Sequence, residues 1–397
     1  MTKNLCPLCD GERLIRFLHR PQVPVHQNLL LSSLEAARSL ARGELDMVIC
    51  ADCGFVFNRA FDPALLSYGE QYDNTQACSP CFDAYLDGLV ADLVEHHGVR
   101  HSTIVEVGCG KGHFLQKLVA YPASHNRGIG FDPSYVGPDT VLEGRVRFQR
   151  RFYDESCADV KADVVVCRHV IEHIPQPLVL LRAVRAALNH APDARVFFET
   201  PCVERILRHQ VIWDFFYEHC SLFCAASLRH AFERSGFTVL GVTPRFGEQY
   251  LWLEAKPASA LSALPREDAS ALVALAQDYG KNEAALRQTW FDRLQRLRRS
   301  GKIAIWGAGA KGVTFANLID PECALIECVV DLNPAKQGRY LPGTGHPIVS
   351  PSELPSRHVA HAILMNPNYR EENLCLLTSA GITLDLIDWG HTSPSTS

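Results

Sequence analysis

Twice this chain runs an apolar strand into a glycine-rich turn and on into a helical pattern. The first such stretch is "VEVGCGKGHF", Val105 to Phe114, and the second is "IAIWGAGAKG", Ile303 to Gly312. A strand that continuous in apolar residues is buried on both faces, which requires helices on both sides of a mostly parallel sheet. Two such units, separated by almost two hundred residues, predict two α/β layers. Around the first, "GHFLQKLVAY" reads as a helix and "NRGIGFDPS" as a strand ending in an acid. "ADVVVCRHVIEH" and "ARVFFETP" are further strands, with the amphipathic helix "PLVLLRAVRAALN" between them. The Ala-, Ser- and Pro-rich stretch Ala255 to Asp268 marks a boundary, and the helical "EAALRQTWFDRLQRLRRSGK" follows. The strands "LIECVVDLNP" and "HAILMNP" continue the second rhythm, and the tail "HTSPSTS" is expected to fray.

The expected organisation is three segments. Residues 1–75 are cysteine-punctuated and short of long periodic patterns, 76–255 form the first α/β domain, and 256–397 form the second. A net charge of -5 argues against a polyanionic partner such as nucleic acid. No apolar run approaches the length of a bilayer span, and the first ten residues lack the apolar core of a secretory signal, so a cytoplasmic location is expected. In that compartment fifteen cysteines point to metal binding, catalysis or burial, not to a disulfide framework.

Cys6 and Cys9 form one C-x2-C knuckle, and Cys50 and Cys53 a second. Two knuckles complete a tetrahedral thiolate shell for Zn²⁺, and four protein ligands leave no open position, so the expected ion is structural. The forty-residue separation implies an insertion between the pairs. Cys78-Ser-Pro-Cys81 has no matching second pair and reads as incidental, with a thiol redox role as the alternative.

In the first turn Gly108, Gly110 and Gly112 follow Glu106 at G-x-G-x-G spacing, one residue short of the dinucleotide fingerprint. An acid just before the turn fits a cationic ligand better than a pyrophosphate. S-adenosylmethionine, a sulfonium and an ammonium without phosphate, is such a ligand. Asp132, followed by Pro133, stands about twenty residues on, where an acid accepts from ribose hydroxyls. His169, in "CRHVIEHIP", is a further cofactor-side residue, although a satisfied structural histidine would read the same way. In the second turn Gly307, Gly309 and Gly312 fit G-x-G-x-x-G, with Asp331 as the strand-end acid, which alone reads as a nicotinamide-dinucleotide site. Lys311 inside the turn, and Lys336, Arg339 and His346 after it, are candidate anion contacts instead.

"EVGCGKGHFL" with "GFDP" resembles class I S-adenosylmethionine-dependent methyltransferases. Over nearly its full length the chain resembles a narrower family, the three-domain C-methyltransferases of nucleotide-linked deoxysugars. That resemblance implies an N-terminal zinc-binding domain, a central class I methyltransferase Rossmann-like domain, and a C-terminal Rossmann-like domain that helps bind the acceptor. It carries the family's Y-x-E-H element onto "FFYEHCSLF", matching Glu218 and His219. The family tyrosine falls on Phe216, and Tyr217 sits one place later. It also carries His173 from "EHIP", and Tyr68 and Tyr72 from "SYGEQYDNT". The family's tryptophan-asparagine element near the chain end is replaced by "MNPNYREE", which changes the expected substrate pocket.

Methylating carbon requires removal of a proton alpha to a carbonyl, and histidine is the ready base near neutral pH. His219 is the expected base, supported by Glu218, His173, Tyr72 and Tyr68, with Tyr217 on the substrate side. The expected acceptor is a small molecule, a nucleotide-linked keto-sugar, and the chain a monomer or weak homo-oligomer with no membrane partner. The alternatives are O- or N-methylation of another acceptor, an NAD(P)-dependent oxidoreductase using the second turn, and a zinc-domain scaffold with an inactive methyltransferase domain.

Overall fold

The computed structural model describes residues 5–66, 78–259 and 268–388. Tyr68 and Tyr72 lie outside the described residues, as does the tail from residue 389. Three sheets organise the chain.

The N-terminal sheet contains β1 (Leu14–Pro24), β2 (Arg42–Cys50) and β3 (Val56–Asn58), all antiparallel, with the short helix α1 (Leu34–Arg38) between β1 and β2. This is the region read from sequence as short of periodic pattern. Its alternation is broken by register shifts between Arg16 and Leu18 and between Arg20 and Val23, which blur the period-two signal. The β1–β2 pair is the insertion expected between the two cysteine knuckles.

Next come α2 (Pro80–Ala91), β4 (Thr103–Val107), α3 (His113–Ala120), β5 (Arg127–Phe131), β6 (Thr140–Val141), β7 (Val146–Gln149) and β8 (Val164–Arg168). The segment continues with α4 (Pro177–Ala187), β9 (Arg195–Pro201), α5 (Val203–Arg208), β10 (Ser221–Leu222), α6 (Ala225–Arg234), β11 (Phe237–Arg245) and β12 (Tyr250–Pro257). Eight of these strands form a sheet in the order β11-β12-β9-β8-β4-β5-β7-β6. Strands β9, β8, β4, β5 and β7 are parallel, and the antiparallel partners sit at the two edges. β10 leaves that sheet and pairs with β3, Ser221 opposite Phe57 and Leu222 opposite Val56. The N-terminal sheet is thereby stitched to the loop that carries Phe216 to His219.

The last part holds α7 (Ser270–Ser300), β13 (Lys302–Trp306), α8 (Ala310–Ile319), β14 (Ile326–Val330), β15 (Ile348–Val349), β16 (Val359–Leu364), α9 (Arg370–Ser379) and β17 (Asp385–Ile387). Its five strands are parallel in the order β15-β14-β13-β16-β17. α7 lies across β1: a Cβ at Gly280 would stand 2.1 Å from the Phe17 carbonyl oxygen, so glycine is what permits this approach. Among the described residues no helix is long and apolar enough to cross a membrane.

Both glycine turns follow a strand whose two neighbours lie on opposite sides of it, β5 and β8 around β4, and β14 and β16 around β13. That is the switch point at which open α/β sheets place their ligands.

Candidate functional site

Two cavities meet inside the molecule. The first gathers Glu106, Gly108, Gly110, Asp132, Pro133 and His169. Gly108 and Cys109 donate their backbone N–H groups to the Phe131 carbonyl at 2.8 and 3.1 Å, which ties the turn to the end of β5. Gly110 N–H donates to Asp132 Oδ2 at 2.8 Å, while Ser134 N–H and hydroxyl hold Oδ1 at 2.8 and 2.6 Å. All three turn glycines have left-handed φ, +69°, +53° and +77°. A Cβ at Gly110 would meet nothing within 4 Å, so the turn leaves an open cradle there. Gly112 does not line the cavity: it caps α3, and a Cβ on it would stand 2.3 Å from Phe148 Cζ. Glu106 is buried and its Oε2 has no hydrogen-bond partner. Burial pushes its carboxyl up to about 8, although Arg168 pulls the other way. A buried carboxyl with one oxygen left unbonded beside an open cradle fits a cationic ligand.

The second cavity lies between the eight-stranded and five-stranded sheets. Phe216, Glu218 and His219 line it from one side, and Gly307, Gly309, Lys311 and Lys336 from the other. The structure thus brings the second glycine turn to the same space as the histidines. His169 and His173 line both cavities and form the partition between them. His173 and His219 meet edge to face at 4.8 Å between ring centroids, and Phe216 tilts over His219 at 4.1 Å. Burial holds His219 well below the ordinary imidazole range, reinforced by the charges of His173, His169 and Lys311, so it is neutral at neutral pH.

A buried ion network stands behind the partition. Glu199, at the inner edge of β9, accepts from Arg168 Nε at 2.7 Å and from the Tyr85 hydroxyl, and lies 3.2 Å from His169 Nε2. Burial alone would raise Glu199; Arg168 and His169 instead hold it at about 2. Burial alone would lower His169; Glu199 and Glu172 raise it to about 9. His169 adopts a left-handed φ of +55°, so its position is fixed by this network against local preference. A glutamate inside the apolar run "VFFETP" was the available sequence signal for Glu199.

Lys311 pairs with Asp214 at 2.7 Å. Lys336 is buried, and its ammonium donates to the Ala308 carbonyl at 3.1 Å and to Asn28 Oδ1 at 3.4 Å. No carboxylate pairs with Lys336 among the described residues. Asp331 is turned onto its own turn, accepting from Ala308 N–H and Asn333 N–H at 2.8 Å each.

Three expectations on the acceptor side are corrected. Tyr217 is buried away from the cavity, its hydroxyl accepting from Asp62 N–H at 2.9 Å and donating to Asp62 O at 3.2 Å. Phe216 takes the cavity-facing place, because a turn closed by His219 N–H on the Phe216 carbonyl at 3.2 Å sets Phe216, Glu218 and His219 toward the cavity and Tyr217 away from it. Arg339 lies outside both cavities, in a turn where its N–H donates to Lys336 O at 3.1 Å. His346 is wholly buried, bonded to Thr344 Oγ1 at 2.8 Å and paired with Asp320 at 3.2 Å, which makes it a structural residue. Glu218 lines the cavity and accepts from Gln27 N–H at 2.7 Å, anchoring the end of the N-terminal segment beside Asn28. Cys78 also lines this cavity, and Cys81 N–H donates to Glu372 at 2.7 Å.

Outside the lining of both cavities, Cys6, Cys9, Cys50 and Cys53 bring their sulfurs within 4.8 Å of one another, with Cys6–Cys53 at 3.6 Å and Cys9–Cys50 at 3.5 Å. Sulfurs about 2.3 Å from a tetrahedral Zn²⁺ stand about 3.8 Å apart, so this donor set fits the ion.

These features and the comparisons with known proteins define a class. Residues 82–242 match a methyltransferase domain family, and residues 254–382 match the C-methyltransferase C-terminal domain family. The protein is an S-adenosylmethionine-dependent methyltransferase. The chain is 27% identical over 395 residues to C-methyltransferase NovU of Streptomyces niveus, covering 92% of this chain and 90% of that one. Its two α/β parts thus match a methyltransferase domain and a C-methyltransferase C-terminal domain, which together support the C-methyltransferase family. It is also 31% identical over 114 residues to a ubiquinone biosynthesis O-methyltransferase of Paraburkholderia xenovorans, across 26% of this chain and 47% of that enzyme. Among solved structures, it is similar to a riboflavin-derivative dimethyltransferase (RosA) of Streptomyces davawensis, with 21% identity, a TM-score of 0.34, and coverage of 44% of this chain and 54% of that one.

Proposed function

We propose that the enzyme C-methylates a nucleotide-linked keto-sugar through an enolate, with His219 as the base. The observation that carries this reading is the His173–His219 pair at the junction of the two cavities. S-adenosylmethionine, bound at the first turn, supplies an electrophilic methyl group. A neutral His219 ring nitrogen takes the proton alpha to the acceptor's carbonyl, leaving an enolate carbon that would accept the methyl as the donor's S–CH3 bond breaks and its neutral thioether leaves. His173 lies in the same wall, where its imidazole stabilises the developing oxyanion. The acceptor's diphosphate lies on the second turn, at the N-terminus of α8, near Lys311 and Lys336. The buried Lys336 ammonium, bonded only to neutral oxygens, supports an anionic acceptor. The Cys6, Cys9, Cys50 and Cys53 cluster holds a structural Zn²⁺ that fixes the N-terminal sheet.

The test is deuterium washout from nucleotide-linked 4-keto-sugars, followed by mass analysis for methyl gain. The enzyme should exchange the alpha position in D2O, and His219→Asn should abolish exchange and turnover while still binding S-adenosylmethionine. Methyl gain on oxygen without any alpha exchange would favour O-methylation and defeat the enolate route.

A further inference from the structure

A second set of metal-type donors stands at the partition. Glu172, His173 and His219 bring one carboxylate oxygen and two imidazole nitrogens within 4.8 Å of one another, and all three line the acceptor cavity. Two imidazoles and one carboxylate are the donor set of open Zn²⁺ sites, in which a fourth position remains free. Donors at about 2.0–2.1 Å from a tetrahedral ion are about 3.4 Å apart, so closing the present spacing takes about 1 Å of side-chain rotation.

The carboxylate gives the second, independent observation. Glu172 is wholly buried. The Thr200 hydroxyl donates to its Oε2 at 3.1 Å, which fixes the plane of the group. Its Oε1 makes no hydrogen bond and lies 3.5 Å from the His169 imidazole. The one imidazolium facing this oxygen stands closer to Glu199, at 3.2 Å, and is shared between two buried carboxylates, so Glu172 retains negative charge for a second cation. The hydroxyl-oriented carboxylate is the arrangement that tunes metal ligands elsewhere.

We infer that Glu172, His173 and His219 form a binding site for a borderline divalent transition metal such as Ni²⁺ or Zn²⁺, distinct from the cysteine cluster, and that its occupancy blocks turnover. The lone pair that coordinates the ion is the one that His219 offers to the acceptor's proton, so the two uses exclude each other. All three ligands line the acceptor cavity, so an ion held by them also occupies acceptor space. Hard ions that prefer six oxygens, Mg²⁺ among them, do not match two imidazoles. The inhibitory part rests on the proposed base; the binding part does not.

The experiment is calorimetric titration of the enzyme, first loaded with a single equivalent of Zn²⁺ per chain to fill the tighter four-thiolate cluster, with Ni²⁺ alone. One Ni²⁺ per chain should bind. The affinity should fall about 100-fold in His173→Asn and at least tenfold in Glu172→Gln and Thr200→Val, with an unchanged far-ultraviolet circular dichroism spectrum as the check on folding. Mg²⁺ should give no heat. Equal Ni²⁺ affinity in all three variants, or no stoichiometric binding, overturns the site. If Ni²⁺ binds as expected, acceptor turnover should stop and return on adding EDTA; turnover undiminished at saturating Ni²⁺ overturns the inhibition. Absent metal binding with intact alpha-proton exchange leaves His219 as base, so the two readings fail separately.

Discussion

The two glycine turns are built from the same strand–turn–helix unit and solve different steric problems. In the first, three glycines hold left-handed φ, and the side chains Val170 and Phe148 fill the space where Cβ atoms would be at Gly108 and Gly112. In the second, Gly307 has φ +114° and Gly309 is extended, and the constraint falls on Gly312, whose Cβ would stand 2.0 Å from the Gly307 carbonyl oxygen. The third glycine of G-x-G-x-x-G therefore brings helix onto strand, as the fingerprint requires. The first turn has a buried carboxyl at its base, Glu106; the second has a buried ammonium at its side, Lys336. A motif comparison alone makes the second turn the better nucleotide site. On the proposed reading, the buried carboxyl suits a cation at the first turn and the buried ammonium an anion at the second.

The largest expected effect comes from Gly312→Ala. The clash is with backbone, which cannot rotate away, and overpacking of this kind costs about 3 kcal/mol. The acceptor KM should rise about 100-fold, read by steady-state turnover. Gly108→Ala should weaken S-adenosylmethionine by about 30-fold, from the left-handed φ together with contact at 2.1 Å to Val170 Cγ2. Adding Val170→Ala should recover the steric share and leave about 1–2 kcal/mol of backbone strain, which separates the two causes. Lys336→Met should raise the acceptor KM about tenfold while the melting temperature holds or rises, because it removes a buried charge with no carboxylate partner. A fall in melting temperature with unchanged KM would make Lys336 a structural residue.

The smallest effect is a proton. Glu106, at about 8 in the free protein, is mostly protonated at pH 7. A cation beside it favours the carboxylate, so binding releases close to one proton at pH 7, and affinity should rise about fivefold from pH 7 to 8 before levelling off. Calorimetry in two buffers of different ionisation heat reads the release directly.

The sheets were legible in the sequence because buried parallel strands and their glycine turns leave a local signal, as "TIVEV" and "KIAIW" do. So were Glu106, Gly108, Gly110 and Asp132, which stand at strand ends whose direction the turn itself dictates. The β1–β2 pair was not, since its bulges break alternation and its partner strand β10 comes from residues 221–222. The acceptor side was read only in part. His173, His219 and Lys311 line the cavity between the two sheets, but Phe216 and not Tyr217 faces it, because a turn at residues 216–219 sets the directions of its side chains and spacing does not encode that turn. Arg339 and His346 carried the right charge for an anion contact and the wrong position, and only the packing of residues 331–349 decides that. The Tyr85–Glu199–Arg168–His169 network joins residues over a hundred positions apart, which periodicity does not encode.

The account stands most directly on which turn holds the methyl donor. Side-by-side calorimetric titration of S-adenosylmethionine into the wild type, Gly108→Ala and Gly312→Ala measures it. The account predicts affinity lost about 30-fold in Gly108→Ala and within about twofold of wild type in Gly312→Ala. Binding retained in Gly108→Ala and lost in Gly312→Ala would contradict it.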